Sequence, residues 1–175
     1  DTLYNVARKY KTSLEAIFTA NPGINPLYLY TDQEITVPYA EDVVSTDIDY
    51  TYTALQRDIE GLKKRYPFIE QDTAGKSVLG RELYYIKLGN GPQEVFYNGA
   101  HHANEWLTSM LLMKFAENFS KAYSLRKNIK GYNCCDIWNK TSIYIMPMVN
   151  PDGVELSIKG AAPDNPYYKD LINMN

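Results

Sequence analysis

At 175 residues and 45% hydrophobic content, the chain has material for one ordinary domain or two small ones with real cores. Its formal net charge is −3, with both signs scattered along the sequence, so there is no basic stripe for phosphates and nucleic acid is excluded as a partner. The apolar runs are all too short to cross a membrane.

The first elements are short and helical. Leu3, Val6, Ala7 and Tyr10 recur at the i, i+3, i+4, i+7 spacing of a helical face, with Thr2 placed to cap it. Thr12 and Glu15 have the T-x-x-E spacing of a capping box, which predicts a second helix burying Leu14, Ile17 and Phe18 and ending at Asn21-Pro22-Gly23. Residues 34–38 alternate like a strand. Residues 40–49 are polar, lack a sustained period and read as a linker.

A second domain follows, over residues 50–175. Tyr52, Leu55, Ile59, Leu62 and Tyr66 line a helix that Pro67 stops. Strands are expected over residues 82–88 and 94–98, joined as a hairpin through Gly89-Asn-Gly-Pro92. Residues 106–119 read as an amphipathic helix and 141–149 as an apolar strand. This alternation of strands and helices, with one hairpin, predicts an α/β domain with a sheet of mixed direction.

The adjacent Cys134 and Cys135 have neither the pattern of a disulfide framework nor the CxxC spacing of a zinc ribbon, and are read as plain thiols. Gly75-Lys76-Ser77 is no phosphate loop, because the glycine needed five positions upstream is Glu70.

The chemistry concentrates at the two histidines, in Gly99-Ala-His-His-Ala-Asn-Glu-Trp106. Zinc takes imidazole nitrogen and carboxylate oxygen about 2 Å away, and an H-x-x-E spacing at a helix entry aims both at one point. His102 and Glu105 have that spacing; His101 and Glu105, four apart, also suit a helix, so spacing leaves both pairs open. Backbone satisfaction by the histidines and a favourable helix dipole for Glu105 form the structural alternative.

Two resemblances narrow these readings. "DTLYNVARKY", "SLEAIFTANPGIN" and "ITVP", in that order over residues 1–39, resemble the LysM family, a small βααβ unit that binds N-acetylglucosamine-containing glycans such as peptidoglycan. The family's first strand is absent, so the strand at residues 34–38 is expected to lack its neighbour and the module to be cut at its front end. The resemblance places the glycan near Asp1, Thr2, Gly23 and Ile24. "GKSVLGREL", "YNGAHHANEW" and "MPMVNPDGVELS", also in order, resemble the M14 metallocarboxypeptidase family over residues 50–175. That implies a zinc peptidase with His102 and Glu105 as the first two metal ligands, and a partial metallocarboxypeptidase-like mixed sheet behind an incomplete LysM module.

By the same resemblance Asn104, Asn150 and Asp152 lie toward substrate, Asn150-Pro-Asp-Gly153 forms a turn near the cleft, and Ser77, Gly80 and Arg81 are structural. The third zinc ligand and the general base are expected downstream of Asn175, so the chain alone is expected to be inactive and to partner the rest of its own domain. Digestive members carry arginine where Asn104 stands. With the LysM unit, this makes the chain similar to bacterial γ-D-glutamyl-meso-diaminopimelate peptidases, implying peptidoglycan stem peptides as substrate and an extracellular, cell-wall or spore setting. A zinc deacylase of the aspartoacylase type and a non-catalytic wall-binding protein are the alternatives.

Overall fold

The computed structural model describes residues 2–38, 41–163 and 165–174. Its N-terminal part holds α1 (Leu3–Lys9) and α2 (Leu14–Ala20), packed around Leu3, Ala7 and Ile17. Thr2 caps α1, its hydroxyl accepting from the Asn5 amide at 3.2 Å. For α2 the cap is Ser13, one residue later than the capping-box spacing placed it, with its hydroxyl accepting from the Ala16 amide at 3.0 Å. No strand forms over residues 34–38. Instead the Asn21 side chain does a neighbouring strand's work: its Oδ1 accepts from the Thr36 amide at 2.8 Å and its Nδ2 donates to the Thr36 carbonyl at 2.7 Å.

The larger part is built from α3 (Tyr52–Arg65), β1 (Glu70–Lys76), β2 (Glu82–Leu88), β3 (Gln93–Asn98), α4 (Trp106–Ser124), β4 (Asn128–Ile129), β5 (Tyr132–Asn133), α5 (Cys134–Lys140), β6 (Thr141–Met146), α6 (Pro151–Lys159) and α7 (Tyr168–Asn173). The main sheet has the order β1-β2-β6-β3. The hairpin expected between β2 and β3 does not form. Strand β6 lies between them, antiparallel to β2 and parallel to β3, and the hairpin is β1–β2. The 89–91 segment instead crosses the start of β6 at close range: a Cβ on Gly91 would stand 1.9 Å from the Lys140 carbonyl carbon, and Gly89 has φ +89.

Ile86, Leu88, Ile143 and Ile145 of the sheet are buried with Leu55, Ile59 and Leu62 of α3 and Met113, Ala116 and Phe119 of α4 in one core. Cys134 is buried at the start of α5, and both cysteines are free thiols. Within residues 40–49, read as a linker, Val44 is 2% exposed and packs into that core with Val43 against it. Their amides donate to the buried carboxylate of Glu117, at 2.5 Å from Val43 and 3.2 Å from Val44. Lys114 and Lys121 bridge to Asp42 at 2.6 and 3.3 Å.

Candidate metal centre

Strands β3 and β6 run parallel, with Asn98 opposite Met146 at their carboxyl ends. The loops leaving those two ends form the site, as open α/β sheets favour. The backbone pairing continues past the strands: Gly99 N donates to Met146 O at 3.1 Å, Val149 N to Gly99 O at 3.0 Å, and Asn150 N to Ala100 O at 3.0 Å. The Thr108 hydroxyl locks the turn into α4, accepting from the Ala100 amide and donating to the Glu105 carbonyl, both at 2.7 Å. Ala100 takes the left-handed φ of +49 there, and a Cβ on Gly99 would meet Thr108 Oγ1 at 2.9 Å.

This frame separates the two histidines. His102 Nδ1 lies 3.0 Å from Glu105 Oε1, whereas His101 Nε2 lies 2.7 Å from Asn98 Oδ1. Of the two pairs that spacing left open, the structure brings His102 and Glu105 together and engages His101 with Asn98. Glu105 is the N-cap residue of α4 yet makes no side-chain cap, so its carboxylate is left to the imidazole. That imidazole holds the Glu105 carboxyl below the usual carboxylate range. The pair faces solvent, with the His102 side chain 78% exposed. An imidazole nitrogen and a carboxylate oxygen at this separation have the chemistry and spacing of two ligands on one zinc ion. Among the described residues no third His, Cys, Asp or Glu joins them.

Asn104 is exposed on the same turn. Asn150 has a bracing position: its Oδ1 accepts from the Gly153 amide at 2.9 Å and its Nδ2 donates to the His101 carbonyl at 3.2 Å. The Asn-Pro-Asp-Gly segment opens a helix, α6, with Asn150 as N-cap and Pro151 in its first turn, where the isolated turn was expected. Asp152 points to the 77–81 loop, accepting from Ser77 Oγ and Leu79 N at 2.9 Å each and from the Arg81 guanidinium. Burial pushes its carboxyl up, but the Leu79 amide, Arg81 and Ser77 outweigh that and hold it below the usual range. Both Asp152 oxygens are thus engaged by protein donors, and no hydrogen bond among the described residues connects it to the His102–Glu105 pair. The structural reading of Ser77 and Arg81 agrees with this contact.

In the N-terminal module Gly23 and Ile24 line a groove of about 420 Å³, together with Gln33, Glu34 and Arg126. Thr2 is at the α1 cap and does not line it, and Asp1 lies outside the described residues. Gln33, Glu34 and Arg126 were missed in the sequence. No local pattern announces Arg126, which stands about a hundred positions after Gly23.

The family model for zinc carboxypeptidases, peptidase M14, matches residues 55–171, and that for the LysM domain matches residues 1–38. The chain belongs to the zinc carboxypeptidase family. Its M14 part is preceded by a LysM domain. A γ-D-glutamyl-L-diamino acid endopeptidase of Lysinibacillus sphaericus is 34% identical over 133 residues, covering 76% of this chain and 34% of that protein. An uncharacterized protein of Bacillus subtilis (strain 168) is 26% identical over 185 residues, covering 92% of this chain and 49% of its own length. The chain therefore spans about a third to a half of these relatives. Bovine thrombin-activatable fibrinolysis inhibitor, solved with tick carboxypeptidase inhibitor, matches with a TM-score of 0.55 at 23% identity over 65% of this chain and 35% of that one, which shows the M14 fold. No helix among the described residues is long and apolar enough to cross a membrane.

Proposed function

We propose that the protein is a zinc-dependent peptidase of bacterial peptidoglycan that cuts the stem peptide at a γ-D-glutamyl–diamino acid bond in the cell wall. The observation that carries this reading is the His102–Glu105 pair, set 3.0 Å apart at the carboxyl ends of two parallel strands, in an M14 chain that also carries a LysM domain. The L. sphaericus relative, a γ-D-glutamyl-L-diamino acid endopeptidase, supports the choice of substrate.

His102 through Nδ1 and Glu105 through Oε1 would hold the zinc. A bound zinc in such a site polarises a carbonyl and lowers the pKa of water. Asn98 engages the His101 ring, and Asn150 holds the carbonyl of the same histidine. Asn104, exposed beside Glu105, faces the substrate side in this reading, where its neutral amide suits a peptide that does not present an ordinary C-terminal carboxylate. The third ligand and the proton acceptor belong, on this proposal, to the part of the relatives' length that the chain does not span. The LysM domain raises the local concentration of stem peptides by holding the glycan.

The test is a digest of purified peptidoglycan by the full-length protein, scored by newly released amino groups. Release that a chelator stops and zinc restores is expected. Turnover indifferent to chelation, or equal trimming of plain C-terminal peptides with the wall untouched, would refute the proposal.

A further inference from the structure

The groove on the N-terminal module is not made by that module alone. Arg126 lines it, although Arg126 follows α4 of the M14 domain. It is exposed, and no ion pair or side-chain hydrogen bond among the described residues engages its guanidinium. Its backbone is equally particular. Lys127 N donates to Ala122 O at 2.8 Å and Arg126 N to Tyr123 O at 3.0 Å, the paired bonds of a Schellman helix end, with Arg126 at φ +53 in the left-handed position. Glycine is the favoured residue there, because any L side chain is strained. Helix α1 ends the same way at Lys11, φ +50, and the ammonium of Lys11 reaches Glu41 at 2.7 Å. Each of these helix ends thus carries a cation at the module boundary; Lys11 is neutralised by the connector, whereas Arg126 is presented to the groove.

The connector between the two parts is anchored on the M14 domain. Glu117 grips the Val43 and Val44 amides, Asp42 is bridged to Lys114 and Lys121, and Val43 sits over Gly61, where a Cβ would come within 2.6 Å of its methyl group. The groove otherwise offers Gln33, the 23–24 backbone and the carboxylate of Glu34, a set suited to sugar hydroxyls and acetamido groups. A guanidinium adds what these lack, a planar fork that holds a carboxylate through two parallel hydrogen bonds.

We propose that Arg126 completes a composite glycan groove across the module boundary and selects glycans carrying peptide carboxylates over neutral N-acetylglucosamine oligomers. The inference rests on the glycan-binding reading of the LysM domain given above. Glu34 repels an acid group in the same groove, so it directs the carboxylate toward Arg126 and takes sugar hydroxyls itself.

Calorimetric titration of the full-length protein with an N-acetylglucosamine oligomer and with a stem-peptide-bearing peptidoglycan fragment tests this. The wild type is expected to prefer the acidic fragment by about tenfold at low salt, with the preference shrinking as salt is added. Arg126→Gly is expected to lose the preference, its affinity for the acidic fragment falling by about tenfold at low salt. Its melting temperature should be unchanged or higher, because glycine suits the left-handed position, and this separates lost recognition from lost folding. Arg126→Lys should keep part of the preference. Equal wild-type binding of both ligands, or an undiminished preference in Arg126→Gly, overturns the role of Arg126 and leaves the glycan reading standing. Binding of neither ligand overturns the glycan reading and this inference with it.

Discussion

His102 Nδ1 stands 3.0 Å from Glu105 Oε1, while the neighbouring His101 is turned to the Asn98 amide oxygen. Adjacent histidines therefore have different work, and substitution separates them. In the full-length protein His102→Ala and Glu105→Ala are each expected to abolish stoichiometric zinc binding and to lower hydrolysis by about 100-fold or more. His101→Ala should retain the metal. Metal analysis after gel filtration checks this, and zinc retained in His102→Ala but lost in His101→Ala would reverse the assignment.

Asp152 ties the Asn-Pro-Asp-Gly segment to the Ser77–Arg81 loop, so its loss should appear as instability. Asp152→Asn is expected to cost about 1–3 kcal/mol, read from the urea midpoint near neutral pH. The Asp152 carboxyl is depressed in the folded state, so its contribution is complete above its ordinary value of 3.8 and is lost as pH falls through the lower folded value. The gap between wild type and variant should accordingly hold down to about pH 4 and close below it. A gap that widens in acid would contradict the assignment.

Glu117 is fully buried and holds the connector by two amides while meeting Lys114 at 3.1 Å. Glu117→Ala strands both amides, and a loss of about 3 kcal/mol is expected. Hydrogen exchange gives the local readout. The Val43 and Val44 amides should exchange far faster than the amides in the middle of α3, and protease should cut first near residue 43. Glu117→Gln, which keeps an acceptor, should fall between the two.

An apolar stripe runs along α4 beside the edge strand β3. Leu107 and Leu111 are 57% and 66% exposed, and Phe115, one turn on, meets Tyr97 of β3 edge to face with centroids 6.0 Å apart. An exposed apolar stripe beside the free edge of a strand is a surface on which other chain can pack. In the 175-residue chain Leu111→Gln should cut hydrophobic-dye binding and change stability by less than about 0.5 kcal/mol. In any longer form in which other chain covers the stripe, the same change should cost about 2 kcal/mol.

Local pattern showed where α3, β2 and α4 lie and left open how the strands pair. The face of α3, the bounds of β2 and the start of α4 follow from spacing, because burial and periodicity are properties of neighbouring residues. The insertion of β6 between β2 and β3 was not legible: Gly89-Asn-Gly-Pro92 has turn chemistry, but whether the chain turns into its neighbour or passes over another strand is decided more than forty residues later. Strand β1, with Glu-Gln-Asp-Thr-Ala-Gly-Lys, is polar and largely exposed, so it carries no alternation to detect. At the site, spacing offered both His101 and His102 as partners of Glu105, and only the longer family motif singled out His102. Asp152 read as a cleft residue because its partner Arg81 lies 71 positions away. Residues 42–44 were hidden by polar flanks, although two adjacent valines are ordinary core material.

In the proposed peptidoglycan peptidase, the grip of Glu117 on the connector would bear on how the wall polymer is processed. A module on a slack tether finds its polymer and lets the catalytic site sample every nearby bond within reach. A connector anchored at residues 42–44 shortens that tether and so narrows the reach of the site from the sugar being held. Cuts would then cluster nearer to that sugar, and loosening the connector would spread them before it slowed the chemistry.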